Sequence, residues 1–140
     1  MPVHCYGIPC DVKSLQNLAD QNNLKLIYDA AHAFGIKHEG QSLLNYGDMS
    51  VISFHATKVF NTFEGGAIVC HSVEMKQRID RLKNFGIVNE TTIDDVSLNG
   101  KLSEVHAALG LLQLKTIDQT LHARKNIDRQ YRELLANVEG

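Results

Sequence analysis

Two groups of complementary chemistry follow separate apolar runs in this sequence. Asp29 comes directly after residues 24–28 (LKLIY), and Lys58 comes shortly after residues 49–54 (MSVISF). Both runs are rich in strand-forming residues, and open α/β sheets place their ligands at the carboxyl ends of parallel strands. We therefore expect the carboxylate and the amine to be neighbours at one edge of a sheet.

A salt bridge between the two side chains, or two separately solvated loop residues, is the simplest explanation for this pair. Two features favour a ligand instead. Asp29 directly follows an apolar run, so its surroundings should be apolar. An unpaired charge is costly there, so the carboxylate must face a cation or a polar ligand. Lys58 lies among small and hydroxyl residues ahead of the pair Gly65 and Gly66, a composition that leaves room for a ligand close to the backbone.

Pyridoxal 5'-phosphate (PLP) chemistry requires this set of groups. A lysine forms the Schiff base and then moves the Cα proton of the substrate. A carboxylate keeps the pyridine nitrogen protonated, so that the ring accepts electrons. A hydroxyl and backbone N–H groups bind the phosphate.

The first elements that position these groups read as strand, helix, strand. Residues 2–6 form a short strand candidate, Asp11 is a suitable N-cap for a helix that stops near residues 22–23, and residues 24–28 form the next strand. Such a βαβ unit places its strands parallel, with a right-handed crossover.

The rest of the chain predicts further strands and then helices. Strand candidates cover residues 49–54 and 67–71, a helix covers 73–85, and 86–100 reads as an irregular loop. From Ser103 the pattern is helical to the end, with one break near residues 114–118. Helices mostly on one side of such a sheet would leave apolar sheet surface uncovered, for a partner, domain or subunit to bury.

Composition indicates a globular, cytoplasmic protein of one domain. Hydrophobic residues make up 44% of the 140 residues, charged residues 21%, and the formal net charge is −2. The sequence has no basic block for nucleic acid or a membrane surface, and no apolar run near the roughly 18 residues of a membrane span. His4, Cys5 and Cys10 fit no standard zinc spacing, so we expect no metal site.

Three segments, in order, carry a resemblance to a known family. They are residues 27–35 (IYDAAHAFG), 47–69 (GDMSVISFHATKVFNTFEGGAIV) and 98–114 (LNGKLSEVHAALGLLQL), and the opening PVHCYG adds to them. Together they resemble the nucleotide-sugar aminotransferases of the DegT/StrS type, which are fold-type I PLP enzymes. The resemblance runs over nearly all 140 residues.

The resemblance implies a role for each site residue. Lys58 would be the catalytic lysine that binds PLP and moves the proton, and Asp29 would pair with the pyridine nitrogen. His32 would lie near the cofactor ring and its phenolic oxygen, and Ser53 would donate to the phosphate. Asn99 would reach the phosphate from the neighbouring subunit of a homodimer.

Local explanations remain open for three of these residues. His32 could begin a helix and pack against Phe34, and Ser53 could satisfy the backbone of its strand. Asn99 precedes Gly100, which is a favourable turn pair in its own right.

The fold implied is α/β: a partial PLP-transferase (aspartate aminotransferase-like) large domain, with a mostly parallel sheet and flanking helices. Residues 1 to about 101 would form the α/β part, and 102–140 a helical part leading to a small domain. Family members are longer, with the phosphate-binding turn and the ring-stacking aromatic residue ahead of this segment. We therefore expect weak PLP binding, and no turnover, from this chain alone.

The activity implied is transfer of an amino group, from glutamate, to the keto group of a nucleotide-linked deoxysugar. The residues of the lysine segment resemble members that act at C4 of dTDP- or UDP-linked hexoses. A non-catalytic remnant or interaction module with a relic site is the alternative, and a PLP carrier without transamination is a third possibility.

Overall fold

The first α-helix of the described chain is followed by a strand, in the order that the sequence predicts. The structure, a computed structural model, describes residues 1–94 and 96–138. Helix α1 (Val12–Gln21) begins where the Asp11 side chain accepts a hydrogen bond from the Ser14 N–H at 3.1 Å, as the sequence predicts. Strand β1 (Ile27–Asp29) follows and begins three residues after the start of the apolar run of residues 24–28.

The strands of the main sheet lie in the order β1, β4 (Met49–Ser53) and β5 (Gly66–Cys70). Strands β2 (Lys37–His38) and β3 (Gln41–Ser42) form a small separate hairpin before β4. Strand β4 runs parallel to β1 and antiparallel to β5. The expected parallel neighbours are therefore present, and β5 adds an antiparallel edge.

The two faces of this sheet differ in burial. Tyr28 pairs in register with Ser50, and both are buried on the α1 side, with Val12, Ala19 and Leu43 in the same core. Since side chains alternate along a strand, Asp29, Val51 and Ser53 point to the opposite face. The functional candidates thus share the face that α1 does not cover.

The second half of the described chain is mainly helical. Helix α2 (Val73–Leu82) is capped by Ser72, and strands β6 (Ile87–Asn89) and β7 (Thr92–Ile93) form a hairpin after it. Helices α3 (Glu104–Leu114) and α4 (Ile117–Leu135) then follow. The break falls within the predicted residues 114–118, and the loop expected over 86–100 contains the β6–β7 hairpin.

Residues 2–6 are not a full strand. Val3 makes one parallel bridge to Asp29, and the chain then turns through a 3-10 segment, Cys5–Gly7. Tyr6 has φ 53° and Gly7 has φ 78°, both in the left-handed region. The apolar pattern could not reveal this turn, because it depends on backbone angles and not on side-chain alternation.

The sheet face opposite α1 is incompletely covered, as expected. A cavity of about 800 Å³ lies between this face and α2, and its walls include Val51, Ile68, Ile79 and Leu82. Val51 and Ile68 retain 41% and 47% of their exposure. Within the described residues, no helix is both long enough and apolar enough to cross a membrane.

Candidate active site

Asp29 is fixed at the end of β1 by its backbone. Its N–H donates to Pro2 O at 2.9 Å, and its carbonyl accepts from the His4 N–H at 3.0 Å. The half-buried carboxylate accepts one hydrogen bond at Oδ1, from the Ala31 N–H at 3.0 Å. Oδ2 accepts none from residues 1–94 and 96–138, so it is available to a donor outside this set.

Ser53 is the last residue of the neighbouring strand β4, and Lys58 follows five residues later. Asp29 pairs in register with Val51, and Ser53 lies two residues further along β4. The Ser53 hydroxyl accepts from the His55 N–H at 3.3 Å, so the local backbone role is real, and its own proton is still free to donate. Lys58 lies on the loop of residues 54–65, called the Lys58 loop below.

The carboxylate and the amine are not paired with each other. Lys58 is half-buried, its N–H donates to His55 O at 2.9 Å, and no described residue makes an ion pair or hydrogen bond with its Nζ. The described residues therefore contain no salt bridge between Asp29 and Lys58. Both groups keep capacity for a ligand.

An aromatic cluster supports the Lys58 loop from below. Phe34 stacks on Phe60 with ring centroids 4.5 Å apart and an interplanar angle of 9°. Phe54 meets Phe60 edge to face at 5.0 Å. Phe60 is buried, and Phe54 and Phe60 flank Lys58 in the sequence. The loop is therefore anchored by apolar packing both before and after Lys58.

Helix α3 holds the same loop through a polar contact. The Asn61 side chain donates from Nδ2 to Lys58 O at 3.2 Å and accepts at Oδ1 from Gln113 Nε2 at 3.3 Å. The Asn61 N–H donates to Gln113 Oε1, also at 3.3 Å. Sequence reasoning identified neither residue, since no local pattern links positions 52 apart.

His32 contacts the Cys5–Gly7 turn and not Phe34. Its Nδ1 accepts a hydrogen bond from the Tyr6 N–H at 3.1 Å, and its ring stacks on the Tyr6 ring with centroids 5.7 Å apart. The residues around it form turns without a helix. The explanation of His32 as a helix-start residue packed on Phe34 is therefore wrong, because Phe34 stacks on Phe60 instead.

Asn99 is paired with the segment that follows α2. Its backbone bridges Asn84, just after α2, and the Gly100 N–H donates to Lys83 O at 2.8 Å. No described residue hydrogen-bonds its side chain, which belongs to an exposed residue. Asn99 is a bridge residue, and neither it nor Gly100 lies in a turn, so the explanation of the two as a local turn pair is wrong. The cofactor role that the resemblance implies would come from a second subunit.

His4 is a structural group behind Asp29. Its ring is fully buried, stacks on Tyr28 at 4.5 Å and accepts the Cys10 N–H at Nδ1. Burial, the largest influence, lowers the pKa of His4; the negative charge of Asp29 opposes this, and His38 adds to it. Among the described residues, no three His, Cys, Asp or Glu side chains group as metal ligands.

The groups at this edge fit PLP because each still has a hydrogen-bonding or nucleophilic atom that no described residue occupies. Asp29 and Ser53 end neighbouring parallel strands, where α/β folds bind ligands, and Lys58 follows on the loop after the second strand. The fold and this edge together define the class as an α/β domain of the PLP-transferase type.

The chain belongs to the DegT/DnrJ/EryC1/StrS aminotransferase family, whose sequence profile matches residues 1–140. The resemblance described from the three sequence segments is thereby confirmed. The dTDP-4-amino-4,6-dideoxy-D-glucose transaminase of Shigella dysenteriae is 59% identical over 140 residues, and that of Escherichia coli is 48% identical over 143 residues. Both alignments cover 100% of this chain, which spans 38% of the length of each relative.

Solved structures confirm the α/β fold. A structure of DesI with its TDP-sugar product has a TM-score of 0.92 at 39% identity, covering 99% of this chain and 35% of that one. A PLP form of a putative sugar aminotransferase, Spr1654 from Streptococcus pneumoniae, has a TM-score of 0.89 at 26% identity. The matched region covers 97% of this chain and 41% of the Spr1654 chain. PLP is therefore the cofactor that the family implies.

Proposed function

We propose that the complete protein uses PLP to transfer an amino group from glutamate to the C4 keto group of a nucleotide-linked deoxysugar. The observation that carries this is the unpaired Lys58 amine at the sheet edge where Asp29 keeps a free carboxylate oxygen. Relatives at 59% and 48% identity that are dTDP-4-amino-4,6-dideoxy-D-glucose transaminases support the dTDP-linked 4-keto-6-deoxyhexose as substrate.

Each residue of the edge has a distinct task in this proposal. When bound, PLP supplies an electron-accepting ring. Asp29 Oδ2 would accept a hydrogen bond from the ring nitrogen and keep that nitrogen protonated, while the Ser53 hydroxyl would donate to the phosphate. The Lys58 Nζ would hold the cofactor through its aldehyde carbon and, once displaced by the amino donor, would move the proton between the nitrogen-bearing substrate carbon and that cofactor carbon.

The second subunit is the other part of the proposal. The open sheet face and α3 expose apolar side chains, among them Val51, Val105 and Leu111. A homodimer would bury such surface and bring Asn99 to the phosphate of the partner's site. Sedimentation of the chain at increasing concentration tests this, and a monomer at every concentration would contradict it.

The chain spans 38% of its relatives' length, so we propose that it binds PLP weakly and does not turn over alone. A phosphate-binding turn and a stacked ring together contribute several kcal/mol, and about 1.4 kcal/mol is tenfold in affinity. The same structure then acts as a site module within the longer protein.

Reductive trapping tests the site directly. The chain is incubated with PLP, reduced with borohydride, digested and mapped by mass spectrometry for lysines that carry the cofactor. We expect modification to concentrate at Lys58 and to fall in Asp29→Asn. Lys37→Ala, which removes an exposed lysine of β2, serves as the matched control for Lys58→Ala.

Two results would contradict the proposal. Equal modification of Lys58 and Lys37 would mean that the edge is no PLP site. Formation of amino sugar by this chain from a dTDP-linked 4-keto-6-deoxyhexose and glutamate would contradict the inactivity of the segment alone.

A further inference from the structure

We propose that the turn of Tyr6 and Gly7 is a positioning element that holds the His32 ring in one neutral tautomer, with its proton on Nε2. The ring then presents a hydrogen-bond donor at the mouth of the site beside Asp29. The tautomer stands on contacts within the chain, and the ligand that receives the hydrogen bond rests on the proposed function.

The tautomer follows from one contact. The Tyr6 N–H donates to His32 Nδ1 at 3.1 Å, so Nδ1 must offer its lone pair. In a neutral imidazole the other nitrogen then carries the proton. No described residue hydrogen-bonds to Nε2, and His32 is exposed, so this donor is free for a ligand.

The same segment fixes both ends of the Asp29–His32 stretch. Val3 bridges Asp29, and the His4 N–H donates to the Asp29 carbonyl. The turn is closed by the Gly7 N–H to His4 O at 3.0 Å. The position of the imidazole relative to the carboxylate is therefore set by one continuous piece of backbone.

The turn carries backbone strain at the residue that makes the contact. Tyr6 has φ 53°, in the left-handed region that non-glycine residues rarely adopt, so its backbone conformation costs conformational free energy. Its ring lies over the imidazole with an interplanar angle of 20° and is otherwise exposed. Stacking and the hydrogen bond to Nδ1 both offset this cost, and both act on His32.

Gly7 is required for the close approach. Its φ is 78°, and a Cβ atom there would lie 2.9 Å from the His32 carbonyl oxygen. Because this neighbour is backbone, a side chain at position 7 must displace the turn or the His32 segment. Gly40 has a similar φ of 83° with nothing within 4 Å of a Cβ, so it gives the same strain without the contact.

The function of the fixed tautomer is to supply a donor without a positive charge. A neutral Nε2–H stabilises an oxygen that carries negative charge, while leaving the site's charge balance to Asp29 and Lys58. In the proposed site this acceptor would be the phenolic oxygen of the cofactor ring, the group that the family resemblance already places near His32.

Long-range ¹H–¹⁵N NMR on the ¹⁵N-histidine-labelled chain reads the tautomer without any cofactor. We expect Nε2–H at His32 in the parent chain and in Gly40→Ala, and a loss of that single state in Gly7→Ala. A parent spectrum with Nδ1–H at His32, or the same tautomer in Gly7→Ala as in Gly40→Ala, would overturn the proposal.

Hydrogen exchange gives a second test that keeps the turn intact. The Tyr6 amide should exchange roughly fivefold faster in His32→Ala, the effect of losing about 1 kcal/mol of hydrogen bonding. His38→Ala, which removes a histidine packed on Tyr46, should leave this rate unchanged. Equal rates in both variants would contradict the contact. Preferential trapping of PLP at Lys58 would still stand in that case, so the two proposals fail separately.

Discussion

Gln113 of α3 and Asn61 of the Lys58 loop exchange two hydrogen bonds, each 3.3 Å long, across 52 positions of sequence. Asn61 also donates to the Lys58 carbonyl at 3.2 Å. The helix is thus connected to the Lys58 backbone through a single intermediate side chain. This relationship makes Gln113 a positioning residue, since it contacts the loop and not the Lys58 amine.

Gln113→Ala should lower the free energy of unfolding by about 1–2 kcal/mol, because two neutral hydrogen bonds are lost. Urea denaturation measures this, and exchange of the Asn61 amide should accelerate in parallel. Gln16→Ala changes helix propensity equally but removes only a bond to Asp20 on its own helix. Equal losses in the two variants would show that Gln113 does not anchor the loop.

Gly110→Val tests the contact between α3 and the Lys58 loop. A Cβ atom at Gly110 would lie 3.0 Å from Thr62 Cγ2 and 3.6 Å from Phe60 Cζ. Helix propensity alone favours valine over glycine by a few tenths of a kcal/mol, whereas overpacking costs about 1–3 kcal/mol. We therefore expect a net destabilisation in thermal or urea unfolding.

Ala108→Val is the matched control on the exposed side of the same helix. It should cost about 0.5 kcal/mol, from helix propensity alone. If Gly110→Val proved as stable as the parent chain, α3 would not be packed against Thr62 and Phe60 in solution.

Phe60→Ala should destabilise the chain by about 3–5 kcal/mol, because Phe60 is buried between Phe34 and Phe54. Phe63, on the same loop, keeps 59% of its exposure, so Phe63→Ala should cost less than about 0.5 kcal/mol. Urea denaturation of both variants measures the difference. Similar values would mean that the aromatic cluster is not the anchor of the loop.

The local elements were predictable because their signals are local. Asp11 and Ser103 are N-cap residues in the structure, each accepting a backbone N–H three residues on, and both mark helix starts in the sequence. The parallel pairing of β1 with β4, which places Asp29 and Ser53 toward the same edge of the sheet, was also predictable from the two apolar runs.

The contacts that orient the site were not predictable in this way. Strand β5 runs antiparallel to β4, and this direction depends on how the Lys58 loop folds. The alternation of apolar residues does not predict whether two strands are parallel or antiparallel. The Tyr6–His32 contact depends on left-handed backbone at Tyr6 and Gly7. Such features follow from tertiary packing, which sequence periodicity does not encode.

His4 should make stability depend on pH. Burial lowers its pKa below the ordinary value of 6.5, so the folded chain keeps the ring neutral where the unfolded chain protonates. The free energy of unfolding is therefore not reduced by His4 above about pH 6.5. Below that pH it falls progressively, because protonation of the ring in the unfolded chain favours unfolding, until the pH reaches the folded-state pKa. The slope contributed by one such group is at most about 1.4 kcal/mol per pH unit.

His4→Gln removes this titration, while an amide oxygen can still accept the Cys10 N–H that now bonds Nδ1. The variant should be less stable at about pH 7.5, because the stack on Tyr28 is lost, yet its stability should fall less than the parent's between about pH 7 and about pH 5.5. Urea unfolding at each pH measures both quantities. His122→Gln, at an exposed position of α4, controls for removal of a histidine in water. If His4→Gln and the parent lost stability in parallel over this range, the imidazole would not be buried in its neutral form.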